Sequence, residues 1–568
     1  MRYFVLASDY DGTLAQNGQV EPVVNESLKR LKASGRKIIL VTGRELDDLF
    51  KVYPEHEIFD LIVAENGALI YDPSTNKEMP LGERPPESFI QSLRDQNVSP
   101  LSVGRVIVAT WEPWQNVVLE AIRQAGLELQ VIFNKGAVMV LPPGVNKASG
   151  LFAALKAWGI SAHNVVAVGD AENDNALLKF AECAVAVNNA LDSVKEGADL
   201  VTPSARGQGV CELITKLVEE DLAELAPRLS RHFLNVGVTE DQREVHLSPY
   251  GTSLLLCGSS GAGKTTFTAA ILESLQEKNY QYCLIDPEGD YLDLEGLLVL
   301  GDTRQPPLLP EIIQAMESPE QNVAICLLAI DLNDRPSFFK EVLLAILDLR
   351  LKTGHPHFVI LDEAHHLMPS EMDTAFFPLP AEFSNFIAIT VEPAHVNKAL
   401  LDKVNTFFAI GAKPAQALRD FAATLKLNPS IPEMTALEKG KVLAWRVTEP
   451  APWIYVSRKP TRLLKRHQRK YATGDMETNS FVFKGPDARL NLPANNLLRF
   501  IELGRGLDDE TWLYHLRRHD YSIWMSEAVN DTELGDAVGK IEDSEKDNPI
   551  SSRKEIFQQI EARYTKQV

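Results

Sequence analysis

The stretch FVLASDYDGTL at residues 4–14 decides how the first part of the chain is read. Tyr3–Ser8 is an apolar, strand-forming run, and two carboxylates, Asp9 and Asp11, follow it at once with Gly12 behind them. Ligands of α/β domains bind at the carboxyl ends of parallel strands, where this pair falls. One carboxylate can attack phosphorus while the other handles the leaving-group proton. Alone, a DxD turn is equally a loop cap, so the reading has to be tested against the rest of the chain.

Three further stretches agree with the catalytic reading. The run Lys37–Val41 ends in Thr42-Gly43-Arg44, which brings a hydroxyl and a backbone N–H to another strand end. Lys147, in GVNKASG, opens a helical pattern and supplies a fixed positive charge. The run Asn164–Val168 ends in Gly169-Asp170-Ala171-Glu172-Asn173-Asp174, with more oxygen ligands. Asp9, Asp11 and Asp170 make a hard oxygen set suited to Mg²⁺, which offsets repulsion between a carboxylate nucleophile and a phosphate dianion.

Working outward, short β-rich runs alternate with helical patterns such as Val24–Ala33 and Lys147–Trp158 over residues 1–220. That alternation predicts a parallel sheet. Residues 75–145 break the rhythm and predict a small α+β insertion: a strand at Arg105–Ala109, a helix at Glu112–Ala125 and a hairpin over Leu129–Leu141. The four motifs, in this order, resemble the haloacid dehalogenase superfamily of phosphatases. The insertion, AENGALIY at 64–71 and AVAVNNA at 184–190 are similar to its Cof-like subfamily IIB, which includes sucrose-phosphatase-like and phosphoglycolate-phosphatase-like members. The resemblance implies a Rossmann-like core with a cap. It implies Asp9 as the nucleophile, forming an aspartyl-phosphate, and Asp11 as general acid/base. Thr42, Gly43, Lys147 and Asn173 would bind the phosphate, and Asp170 and Asp174 would join Asp9 and Asp11 around magnesium. The short cap leaves either an open site or one that uses the next domain as a lid.

Residues 221–245 are charged and helix-prone and read as a connector. A second α/β rhythm then runs over 246–457. Gly258-Ser259-Ser260-Gly261-Ala262-Gly263-Lys264-Thr265-Thr266 fits GxxxxGK[ST] between the apolar run Ser253–Cys257 and a helical pattern. Glycines let backbone N–H groups wrap phosphates, Lys264 reaches the β and γ oxygens, and Thr265 ligates Mg²⁺. The run Phe358–Leu361 ends in Asp362-Glu363: Asp362 is a metal ligand and Glu363 is placed to polarise a water, which favours ATP hydrolysis over transfer. DEAH at 362–365 spells a helicase box, but no other motif of that class accompanies it. With DPEGDY at 286–291, the domain resembles the HerA/FtsK-like ATPases. That resemblance implies a homo-oligomer, a hexamer through this domain. Thr390-Val391-Glu392-Pro393 stands where the group carries a polar sensor, with acidic Glu392 in place of an amide. Arg419 and Arg446 are candidate arginine fingers.

Seven basic residues in 458–470 predict a linker extending to 477. Residues 478–545 predict a small α+β domain, with Trp512, Leu516, His519 and Ile523 on one helical face and His515, Arg517, Arg518 and Asp520 as a salt-bridge cluster. Residues 546–568 read as a solvated, charged tail.

The length of 568 residues fits this count of domains. Fifty-seven Lys and Arg against 78 Asp and Glu leave a net charge of −21, which disfavours nucleic acid as a partner. Five cysteines without CxxC spacing predict neither a zinc ribbon nor a disulfide framework. The apolar run before Asp9 is too short for a secretory core, and no stretch is long enough to span a bilayer, so a cytoplasmic enzyme without membrane contact is expected. The expected activity is Mg²⁺-dependent hydrolysis of a small phosphorylated metabolite, fused to an ATP-hydrolysing domain that regulates it. A kinase–phosphatase and a ring-forming, DNA-associated ATPase with an accessory phosphatase are the alternatives.

Overall fold

The computed structural model describes residues 1–134, 136–292, 294–373, 379–380, 383–461, 480–486, 490–529 and 531–564. The chain forms two compact units, residues 1–289 with 296–459, and residues 290–295 with 460–568. Most of the expected basic linker lies outside the described residues.

The first unit begins with β1 (Val5–Ser8), β2 (Lys37–Val41), β3 (Leu61–Ala64), β4 (Leu69–Asp72) and β5 (Lys77–Pro80). An insertion supplies β6 (Ser102–Val103), β7 (Val108–Trp111), β8 (Gln130–Asn134) and β9 (Ala137–Leu141), and the core resumes with β10 (Val165–Gly169), β11 (Cys183–Ala186) and β12 (Leu200–Val201). The core sheet has the order β12-β11-β10-β1-β2-β3-β4-β5, parallel from β12 to β3 and antiparallel thereafter. All residues of β1 and β10 are buried, as a parallel sheet covered on both faces requires. Ser8 pairs with Val168 and with Leu40, so Asp9, Asp170 and Thr42 leave the sheet side by side.

The insertion folds as an antiparallel sheet, β6-β7-β9-β8, with a core of Phe89, Ile90, Leu93, Val118 and Ile122 against Val108 and Val140. It starts later than expected, because β5 pairs with β4 in the core sheet. The strand expected at Arg105–Ala109 is shifted to Val108–Trp111. The buried carboxylate of Glu65 takes the backbone N–H groups of Arg105, Val106 and Ile107 at 2.7–2.8 Å, so these residues turn instead of pairing. The helix Glu87–Asp95 had no counterpart in the sequence reading.

The remaining strands of this unit are β13 (Leu234–Val238), β14 (Glu244–Leu247), β15 (Ser253–Gly258), β16 (Tyr282–Asp286), β17 (Leu297–Leu300), β18 (Asn322–Cys326), β19 (Phe358–Leu361), β20 (Phe386–Thr390), β21 (Thr406–Ile410), β22 (Lys441–Arg446) and β23 (Trp453–Ser457). They form one sheet in the order β14-β13-β23-β22-β21-β15-β20-β19-β16-β18-β17. The stretch 221–245 is therefore not a connector throughout. Its second half is strand, tied to the far end of the domain by β13–β23 pairing.

A buried polar joint links the two sheets. Glu182 accepts from Arg2 (2.5 Å) and from Tyr280 Oη (3.1 and 3.0 Å to its two oxygens), and its Oε2 lies 2.6 Å from His163 Nδ1. His163 stacks on the Tyr280 ring at 3.7 Å and donates from Nε2 to the Lys278 carbonyl at 2.8 Å. In the other direction His355 donates from Nε2 to the Gly159 carbonyl at 2.7 Å. His163, Glu182 and His232 group closely enough to hold a metal ion, but Arg2 and Tyr280 already occupy the carboxylate. These residues precede β1, β10 and β11 on one side and β16 and β19 on the other. The joint thus lies at the amino ends of the strands, opposite Asp9 and Asp362, and the second domain does not form a lid over the first site.

In the second unit, β24 (Phe481–Phe483) pairs with β25 (Leu492–Ala494), and helices follow from Leu497 to Tyr564. The region expected as a solvated tail forms the helix Pro549–Tyr564, which buries Ile556, Phe557 and Ile560 in the core with Trp512 and Leu516. The expected apolar face stops at Leu516, because His519 is left-handed (φ 58°) and leaves Ile523 half exposed. His515 and Arg518 pair with Asp520, and Arg517 with Asp547, as the salt-bridge reading anticipates. Among the described residues no helix is long and apolar enough to cross a membrane, and all five cysteines are free and buried.

Candidate active sites

In the first site the parallel register brings Asp9, from the end of β1, next to the loop after β10. Lys147 opens the helix Lys147–Trp158, whose amino end is capped by Asn146 accepting from Ala148 N and Ser149 N. That cap fixes the first turn and directs the Lys147 ammonium inward, where it donates to Asp9 Oδ1 at 2.5 Å and to Asp174 Oδ1 at 2.6 Å. Asp174 is held in turn by the N–H groups of Asp170 (2.9 Å) and Ala171 (3.0 Å). Asp9, Asp170 and Asp174 present ligand atoms within 4.8 Å of one another. Thr42 is buried, and its Oγ1 accepts from Arg44 N at 3.1 Å. Asn173 donates to Asn66 at 3.2 Å. A Cβ on Gly12 would sit 2.3 Å from Asp170 Oδ2, so the turn after Asp11 admits only glycine.

Burial, with Asp174 next, pushes the Asp9 carboxyl up to about 7 despite Lys147. Burial pulls the Lys147 ammonium down, but Asp174 and Asp9 outweigh it and hold its pKa above the usual value. Three buried carboxylates against one ammonium leave uncompensated negative charge, and all the donors are hard oxygens. The set fits a divalent cation such as Mg²⁺.

Asp11 does not join this group. Its carboxylate is gripped by Arg44, from Nε at 2.6 Å and Nη2 at 2.7 Å, and Arg44 also pairs with Asp48. Asp11, expected around magnesium, holds its carboxylate on Arg44 in this arrangement. Sequence reasoning placed Arg44 beside Thr42 but gave it no role. Nothing in AENGALIY marks Glu65 as the residue that anchors the insertion. In the insertion, Trp114 packs against its core and bonds the Ser99 carbonyl, whereas Trp111 is half exposed.

In the second site β15 delivers the glycine-rich loop, with Gly261 (φ 76°) and Gly263 (φ 99°) in left-handed turns. Ser259, Ser260 and Gly261 are exposed, Ala262 is half-buried, and the helix Lys264–Glu277 starts the next segment with Lys264, Thr265 and Thr266 in its first turn. Lys264 Nζ donates to the Gly258 carbonyl at 3.1 Å and lies 3.7 Å from Glu363 Oε1. β19 delivers Asp362 and Glu363, and β16 ends in Asp286, which accepts from Gly289 N at 2.7 Å. Burial, then Asp286 and Glu363, push the Asp362 carboxyl well above its usual value. Thr265 and Asp362 offer hard-oxygen donors, and Asp362 stands beside the negative charge of Asp286 and Glu363, which fits a divalent cation. Glu392 does not occupy the strand end. Its side chain is 64% exposed, and the buried end of β20 is Thr390. Arg419 and Arg446 lie at the surface, and Arg446 pairs with Glu449.

Residues 6–106 and 115–214 match the model of the haloacid dehalogenase-like hydrolases, and residues 249–395 match that of an AAA domain. The chain is 32% identical over 222 residues to phosphoglycolate phosphatase 2 of Saccharolobus solfataricus, covering 38% of this chain and 92% of that protein. It is 30% identical over 225 residues to phosphoglycolate phosphatase of Methanothermobacter thermautotrophicus, covering 38% of this chain and 98% of the relative. It is also 28% identical over 234 residues to a 5-amino-6-(5-phospho-D-ribitylamino)uracil phosphatase of Bacillus subtilis, covering 37% and 94%. Through this amino-terminal part the chain belongs to the haloacid dehalogenase-like hydrolase family, to which it adds a P-loop domain of AAA type.

Proposed function

We propose that the amino-terminal domain hydrolyses a small phosphomonoester of the phosphoglycolate class by way of Asp9, and that the P-loop domain binds and hydrolyses ATP. The reading rests most on the buried arrangement in which Lys147 bridges Asp9 and Asp174 beside Asp170. The Asp9 carboxylate attacks phosphorus and forms an aspartyl-phosphate as the leaving oxygen departs. Lys147 and Thr42 bind the non-bridging oxygens, with the N–H of Gly43 and Asn173 beside them. Asp11 protonates the leaving oxygen and then deprotonates the water that attacks the aspartyl-phosphate. For this Asp11 turns away from Arg44, whose contact is half exposed and open to substrate. Magnesium, held by Asp9, Asp170 and Asp174, would supply charge neutralisation of the phosphate.

In the second domain the loop Gly258–Gly263 wraps the phosphates, with Lys264 on the β and γ oxygens. Glu363 beside Asp362 activates water, which supports hydrolysis rather than transfer to an acceptor. The joint of Glu182, His163 and Tyr280 ties the strands of one site to those of the other, and we infer that nucleotide occupancy alters phosphatase turnover through it. Phosphate release from a panel of small phosphomonoesters, phosphoglycolate included, with and without ATP, tests both parts. Turnover on one of these that is abolished by Asp9→Asn and altered by ATP is expected. Turnover on none of them contradicts the first part, and turnover indifferent to ATP contradicts the second.

A further inference from the structure

Glu363 stands in a left-handed backbone conformation (φ 39°), which a side chain other than glycine adopts only when its surroundings hold it there. Its Oε1 lies 3.7 Å from Lys264 Nζ, and its Oε2 lies 3.4 Å from His365 Nδ1. The same Nδ1 lies 3.2 Å from the Thr390 hydroxyl. Thr390 is fully buried at the end of β20, the strand between β15 with the phosphate loop and β19 with Asp362. Its hydroxyl donates to the Glu392 carbonyl at 3.2 Å. A hydroxyl has one proton to give, so with that proton on the Glu392 carbonyl the Nδ1 facing Thr390 carries its own hydrogen and donates. Burial, then His366, His395 and Lys264, bring the His365 ring down to about 4 and keep it neutral, so this N–H is a neutral donor near neutral pH.

One N–H thus has two acceptors within reach: a strand-end hydroxyl beside the phosphate site, and the carboxylate expected to activate water. We propose that His365 is a positioning residue for ATP hydrolysis, directing Glu363 toward the attacking water by moving its Nδ1–H from Thr390 to Glu363 Oε2 when nucleotide is bound. The inference rests on the ATPase reading given above.

The test uses the full chain carrying Asp9→Asn, so that released phosphate comes from the P-loop domain. ATP hydrolysis by this parent is compared with that of His365→Ala, His365→Asn and Thr390→Val. His365→Ala is expected to lower kcat about tenfold or more while KM for ATP stays within about twofold, because the residue orients a base and does not bind nucleotide. Asparagine offers an N–H near the position of Nδ1, and His365→Asn is expected to recover most of the loss. Thr390→Val removes the competing acceptor and is expected to keep kcat at or above the parental value. A His365→Ala kcat within about twofold of the parent overturns the proposal, as does a loss that His365→Asn fails to recover or a Thr390→Val loss equal to that of His365→Ala. A parent that hydrolyses no ATP removes the ATPase reading itself, and this inference with it, whereas the other outcomes leave that reading standing.

Discussion

The two candidate sites sit at the carboxyl ends of parallel strands and use the same elements, a lysine among carboxylates beside a helix start, yet they are built differently. In the first, Lys147 is fully buried, makes two short bonds to Asp9 and Asp174, and Asp174 is itself locked by backbone N–H groups. In the second, Lys264 contacts a backbone carbonyl and stands 3.7 Å from Glu363, under a loop whose tip is exposed. The side chains of the first site are fixed by one another. In the second, the lysine and Glu363 stand apart beneath the exposed loop tip. Preorganisation of the first kind suits repeated turnover of a small substrate.

The largest expected effect breaks the first half of this comparison. Lys147→Met leaves Asp9 and Asp174 without their shared cation, and phosphatase kcat should fall about 10²–10³-fold or more while ATP hydrolysis is retained. Phosphate release on both substrates, alongside circular dichroism to confirm folding, checks it. Next is the joint. Glu182→Gln leaves Arg2 buried beside a neutral amide, and the first unit should lose about 3 kcal/mol of stability in urea unfolding, as expected when one partner of a buried pair is removed. Burial pushes Glu182 up, but His163, His232 and Arg2 outweigh it and bring it to about 2. Its contribution is therefore full above about pH 4.5 and is lost as pH falls toward 2, so wild type and variant should converge in stability in acid.

A smaller effect concerns the cation. Asp9 is pushed up to about 7, so in metal-free protein its ionisation between the ordinary aspartate pKa and that value lowers stability. A divalent ion relieves this. The rise in melting temperature on adding Mg²⁺ should therefore be larger near pH 8 than near pH 5, where protons compete for Asp9, and should shrink in Asp170→Asn. Equal shifts at both pH values would contradict the assignment. The smallest effect is expected at Glu392. Its side chain faces solvent, so Glu392→Gln should change ATP hydrolysis by less than about twofold.

Much of this was legible in the chain because the chemistry is local. Asp9, Thr42 and Asp170 each sit within a short motif at the end of an apolar run, Lys147 opens a helical pattern, and a parallel sheet gathers its strand ends on one edge. Asp362 and the loop before Lys264 follow the same logic. What escaped reading depends on distant partners. β13, with Asn235 and Gly237 inside it, is a weak strand alone; it is held by a hairpin partner, β14, on one side and by β23, more than two hundred residues away in the chain, on the other. The grip of Arg44 on Asp11 joins two motifs whose separate spacing says nothing of it. Glu65, buried by design of the turn it anchors, looked like one charge among many. The terminal helix carries so many charges that Ile556, Phe557 and Ile560 gave no visible stripe, although they complete a core. The joint between the sheets is made of histidines and a glutamate whose roles exist only once both domains are folded.

The central claim is that each domain holds its own phosphate chemistry, carried by its own residues. It is tested most directly by measuring phosphate release from a phosphomonoester and from ATP in four full-length proteins: wild type, Asp9→Asn, Glu363→Gln and the double variant. The account predicts that Asp9→Asn loses only phosphomonoester hydrolysis, that Glu363→Gln loses only ATP hydrolysis, and that the double variant loses both. Phosphomonoester hydrolysis that survives Asp9→Asn, or ATP hydrolysis that disappears with it while ATP still binds, would contradict the account.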